Sequence, residues 1–271
     1  MNLKSFEFLK GDAIVDNQIK KAINTSLIKA SFSCAIMCIL VLIFGFLMRK
    51  YLFYFSDASS LIISSRLIFQ IITIIVATLS IVYFIVHLII YFRQRNNFLA
   101  PKFAWSIILY LLDGITMCFM ISYVAAIVGL DLTLIAIGIS LSIIVAMGIL
   151  GFIMNHKIAF KLGIANIVLF TIATIGSIIL LIVFFTTRYN HTGFNKGVII
   201  ADIVLSIIWL LALSIGFAST IYSIKVMAEH HNLDNKKIMR DFTTWNSYLL
   251  FASFNRILLY VIRLFLLFKR V

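Results

Sequence analysis

The sequence predicts an all-α integral membrane protein of seven transmembrane helices, N-in and C-out, with the last helix central in the bundle. Hydrophobic residues fill 63% of 271 positions and charged residues 12%, too few to cover the surface of a soluble domain. Seven segments carry the roughly 20 mainly apolar residues that a helix needs to cross the hydrocarbon with its backbone internally bonded. The last of them is polar enough that lipid is a poor neighbour for it.

Residues 1–27 read as a cytoplasmic N-terminal tail without a small-residue cleavage pattern, so no cleaved signal peptide is expected. Residues 28–271 read as the transmembrane domain, with spans near 28–48, 67–92, 103–127, 132–154, 161–186, 198–224 and 245–268. The three cysteines, Cys34, Cys38 and Cys118, fall in apolar runs and read as small buried hydrophobes. Orientation follows from Lys and Arg, which stay cytoplasmic. With the N-terminus inside, the inner segments hold Lys4, Lys10, Lys20, Lys21, Arg93, Arg95, Lys102, Lys157, Lys161, Lys225, Lys236, Lys237 and Arg240; the outer ones hold Arg49, Lys50, Arg188, Lys196, Lys269 and Arg270. The net charge of +13 is thus topology plus attraction to anionic lipid, and the bilayer, not nucleic acid, is the expected partner. The cell membrane is the expected location.

Ionisable groups inside spans cost about 2.5–3.5 kcal/mol each at a helix centre, so each needs a partner or a wet cavity. Asp113, Arg66, Arg256 and Arg263 are such groups. Asp113 lies ten residues into the third span and Arg256 eleven into the seventh, depths of roughly 15 and 17 Å at 1.5 Å per residue. The spacing predicts a buried Asp113–Arg256 ion pair; protonation of Asp113, or its bonding to Thr116 and Ser106, are the alternatives. The seventh span also carries Asn246, Ser253, Asn255, Tyr260 and Arg263, with Arg256, Tyr260 and Arg263 on one face. That face reads as an interhelical bonding ridge or a hydrophilic pathway, and Arg263 can also snorkel outward.

In the fourth span Gly138, Ser142 and Ala146 form a flat stripe suited to close helix approach, continued by Gly148 and Gly151. Asp131 and Asp202 read as charges at helix N-termini. No resident metal or other cofactor is expected. The loop 225–245 holds Glu229, His230, His231 and Asp234, but adjacent histidines rarely chelate one ion, and a partner-docking connector is the simpler reading. A retinal Schiff base lacks its lysine, since Lys269 lies past the apolar run, and His87 faces no activated serine, so no enzyme activity is expected.

"DGIT" at 113–116, "LTLIAIGISLSIIVAMGILGF" from 132, "ASTIYSIKV" at 218–226 and "SFNRILLYVIRLF" in the last span resemble the Bax-inhibitor (transmembrane Bax inhibitor motif, or lifeguard) family, particularly its bacterial YccA-like and YetJ-like members. The resemblance spans the third to seventh helices. It implies a seven-helix fold with the last helix central and, for some members, a pH-sensitive calcium leak gated by two aspartates that share a proton. Carried onto this chain, the first aspartate falls on Ser223 and the second on Ala252 or Ser253; the family's inner-end arginines fall on Arg93 or Arg95. The family proline after "GIT" is replaced near Phe119. Serine and alanine offer neither the charged oxygens calcium wants nor a titratable carboxyl. Two functions follow as expectations: an ion (calcium or proton) leak or homeostasis protein with that sensor lost, or a non-conducting modulator of a partner such as an FtsH-type membrane protease.

Overall fold

The structure, a computed structural model, describes residues 3–50, 74, 78–90, 100–189, 196–230, 233 and 235–269. Among these every regular element is a helix: α1 (Leu3–Met48), α2 (Thr78–Ile90), α3 (Phe103–Val128), α4 (Leu130–Ile153), α5 (His156–Tyr189), α6 (Lys196–His230) and α7 (Lys236–Phe268). Six of these are long and apolar enough to cross a membrane, and α2 is apolar over its described residues. The helices are those of a multi-pass membrane protein. Arg66, Arg93, Arg95, His231 and Asp234 lie outside the described residues.

Helices run past the apolar segments that predict them, because helical propagation needs only backbone bonds while the hydropathy signal stops at the membrane surface. α1 is already helical at Leu3, although the apolar run of the sequence begins near residue 28. Much of the expected 225–245 connector is helical as well: α6 continues to His230, and α7 starts at Lys236, where the Asn235 side chain caps it by accepting from the Lys237 N–H at 2.9 Å. A single residue joins α3 to α4. It is Gly129, whose φ of 109° is a conformation that side-chain-bearing residues rarely adopt.

α7 packs against α1, α3, α4 and α6, whereas α5 packs chiefly on α6. Half of α7's apolar window is buried, against 6% for α5. The mean hydropathy of that window, 1.8, is the lowest of the six long helices. A helix bearing Asn, Ser, Thr and Arg finds hydrogen-bond partners only among its neighbours, so protein contact displaces lipid around it. At one end of α7, Lys29 of α1 donates to Thr243 at 3.0 Å and the Ser247 hydroxyl reaches the Ser26 carbonyl at 3.1 Å. There Arg240 also lies over the Phe103 ring at 4.6 Å.

The small-residue stripe of α4 packs differently from expectation. Ser142 and Ala146 are exposed, and a methyl group added at Gly138 would meet nothing within 4 Å. Close approach occurs farther along, where a Cβ at Gly151 would sit 2.6 Å from the Ala218 carbonyl and 2.8 Å from Ile221 Cβ. The buried face of α4 carries Thr133, Ala136, Ser140 and Gly151 instead. Two small-residue faces compete on this helix, and the one that admits α6 at Gly151 is the one used.

Candidate functional site

The polar residues of α7 reach three different helices. Asp113 on α3 is 1% exposed, and its Oδ2 accepts from Asn255 Nδ2 at 3.2 Å. The next residue, Arg256, donates from Nη2 to the Tyr83 hydroxyl of α2 at 2.9 Å. Tyr83 accepts that bond, and its hydroxyl lies 2.8 Å from that of Tyr248, one hydroxyl donating to the other. Tyr83 also stacks on His87 at 5.9 Å, and Tyr248 packs against Tyr110 and Trp245.

Asp113 and Arg256 therefore lie at a common level without touching. The ion pairs of the described residues include Arg240–Asp241 at 3.6 Å and Arg263–Asp202 at 2.7 Å, and Asp113–Arg256 is not one of them. The direct pair expected from depth alone is replaced by neutral intermediaries: Asn255 donates to the acid, Arg256 donates to Tyr83, and the Tyr83 hydroxyl also bonds Asp113. Helix rotation is the cause: residues 255 and 256 differ by about 100° around α7, so only one of them can point at α3. The two charges still feel each other, and Tyr83 lies in the field of both.

Toward its other end α7 meets α6. Arg263 pairs with Asp202 and lies 5.8 Å over the Tyr260 ring, while Tyr260 stacks on Trp209 at 5.8 Å. Asp202 sits beyond the first turn of α6, so it serves as the partner of Arg263 and not as a helix N-terminal charge; Asp131 does occupy the first turn of α4. Asn246 is fully buried, and neither its amide nitrogen nor its oxygen has a hydrogen-bond partner.

A polar cavity of about 430 Å³ opens between α5, α6 and α7. Its polar lining is Asn166, Ser219, Thr220, Ser223, Ser253 and Arg256, with no carboxylate among them. Two other cavities, of about 360 and 390 Å³, have walls that are almost wholly apolar. Arg256 thus shows one edge to Tyr83 and another to the polar space. Thr220 and Ser253 commit their hydroxyl protons to carbonyls one turn back, at 2.9 and 2.8 Å. The Ser219 hydroxyl and the Asn166 Oδ1 have no partner. Ala252, next to Ser253, faces away and packs with Tyr248, Leu109 and Ile90.

Tyr83, Tyr248, Asn166, Ser219 and Thr220 escape sequence reading. Each is one polar group in a largely apolar run, and the one signal, Tyr83 lying four residues before His87 on one helical face, is weak. Glu229 and His230 end α6, and among the described residues no cluster of three or more His, Cys, Asp or Glu could hold a metal. No protein-family model and no curated protein matches this sequence.

Proposed function

We propose that the chain is an ion-handling membrane protein of Bax-inhibitor-like architecture, with α7 as the central helix, the N-terminus cytoplasmic and the cell membrane as its location. The cavity between α5, α6 and α7 is its polar route, and the Asp113–Asn255 and Arg256–Tyr83–Tyr248 contacts close it. One observation carries this reading: Arg256, eleven residues into the apolar part of α7, lines a polar space of about 430 Å³ when a merely structural arginine would be enclosed by its partners. The Lys and Arg asymmetry supports the orientation. Calcium suits this cavity poorly, since Ser223 and Ser253 line it beside a guanidinium. A proton remains a candidate through Asp113.

Purified protein in proteoliposomes, assayed for calcium, proton and anion flux under an imposed potential, tests this directly. Saturable flux that changes in selectivity with Arg256→Gln or Asp113→Asn supports it. Flux no greater than in empty vesicles for every ion sinks it and leaves the second reading, a non-conducting modulator of a partner such as a membrane protease. That second reading is supported by the charge network itself, in which Asp113, Arg256 and Arg263 all have partners inside the bundle.

A further inference from the structure

We propose that the cavity between α5, α6 and α7 is a binding site for a small monovalent inorganic anion of the halide class. The inference rests on the ion-handling reading above for its role in transport, and it names the ion class.

Charge is the first argument. Among the described residues the cavity is lined by one permanent cation, Arg256, and by no acid. Asp113, the carboxylate that shares the field of Arg256, does not line the cavity; it is enclosed on the α3 side with Asn255 as its donor. An ion arriving through the cavity meets the guanidinium first. Pores selective for anions use such arginine-lined constrictions, because attraction grows as water is excluded.

Donor geometry is the second argument. Arg256 spends one Nη2 bond on Tyr83, and a guanidinium has five N–H donors. The Ser219 hydroxyl is buried without a partner, and Ser223 contributes an exposed hydroxyl two turns from Gly216. Asn166 lies over Gly216, where an added Cβ would come within 3.5 Å of its Nδ2. An added Cβ there would make ordinary van der Waals contact with this amide. The guanidinium and the Ser219 and Ser223 hydroxyls converge from α7 and α6 on one space, with the Asn166 amide of α5 beside them, while a divalent cation would find only neutral oxygens and a repelling charge.

Size and depth select a free ion over a lipid headgroup. The volume far exceeds the 10–15 Å³ that one water centre needs, so a partly hydrated anion fits. Arg256 lies roughly 17 Å along α7 from the start of its apolar segment, deeper than a headgroup phosphate sits.

The test is the unfolding midpoint of the full chain in detergent micelles as chloride, bromide or nitrate replaces gluconate at constant ionic strength. A saturable rise in midpoint is expected. Ser223→Asp, which adds an acid to the cavity and leaves the Tyr83 contacts untouched, should weaken apparent chloride affinity at least tenfold, and Arg256→Gln should do the same. No chloride-dependent rise in the native chain overturns the proposal, as does an undiminished rise in folded Ser223→Asp protein. A rise produced by added anionic lipid and not by chloride also overturns it, in favour of a headgroup site. Chloride stabilisation without anion flux leaves the site standing and removes the transport reading; ion flux without chloride stabilisation does the reverse.

Discussion

Asn255 of α7 donates from Nδ2 to Oδ2 of Asp113 on α3 at 3.2 Å, so the buried acid is tied to the last helix by an amide and not by the arginine one position later. Asn255→Leu removes the donor while the carboxyl stays enclosed. A loss of about 1–3 kcal/mol in unfolding free energy is expected, the usual cost of stranding a buried polar group. Asp113→Leu in the same background should recover part of that loss, because no lone acid then remains to be satisfied. Reversible unfolding in detergent reads both.

Tyr83 joins Arg256 to Tyr248, and this makes it the hub of the α2 contact. Tyr83→Phe should therefore cost more than Tyr248→Phe, which removes only the hydroxyl–hydroxyl bond. Coupling between Tyr83→Phe and Arg256→Met in a double-mutant cycle is expected near 0.6 kcal/mol and below about 2, the range of interhelical bonds in membranes. Zero coupling would separate the two residues.

Packing of α4 gives a contrast within one helix. Gly151→Ala pushes a methyl to 2.6 Å from the Ala218 carbonyl, and backbone has to shift to admit it. Gly138→Ala meets open space. The first should destabilise by about 1–3 kcal/mol, as overpacking does, and the second should be neutral or slightly stabilising through helix propensity. Equal effects would mean that α4 presents another face to α6.

Asn246 is buried with both ends of its amide unpartnered. Asn246→Leu keeps the branched shape, though with bulkier ends, and removes the desolvation cost, so stability should rise by about 1–2 kcal/mol, less any overpacking. If ion flux falls in the same variant while stability rises, the amide is a functional group maintained at structural cost.

Level along the helix axis was legible in the sequence and angle around it was not. Counting residues at 1.5 Å each put Asp113 and Arg256 at a common depth, and they do meet the same tyrosine environment. Which of Asn255 and Arg256 turns toward α3 depends on rotations of α7 set by every neighbour at once, and no periodicity in one chain encodes them. The α4 reading held at Gly151 and failed at Gly138 for the same reason, since the two are equally small but lie on different faces. The polar character of α7 was readable, because lipid satisfies no hydrogen bond. Tyr83 was not, because a tyrosine at that position is equally at home as an interfacial anchor.

Thiol chemistry at the cavity wall tests the central claim, that Arg256 shares a wet, acid-free space with Ser223 and Ser253, most directly. In a background without Cys34, Cys38 and Cys118, the variants Ser223→Cys and Ser253→Cys are treated with methanethiosulfonates bearing either a sulfonate or a trimethylammonium group. Rates are expressed relative to those on a free thiol. The account predicts that both positions react from the aqueous phase, with the sulfonate reagent favoured several-fold at Ser253→Cys and that preference lost on Arg256→Gln. Protection of both positions, or a preference for the cationic reagent, would contradict it.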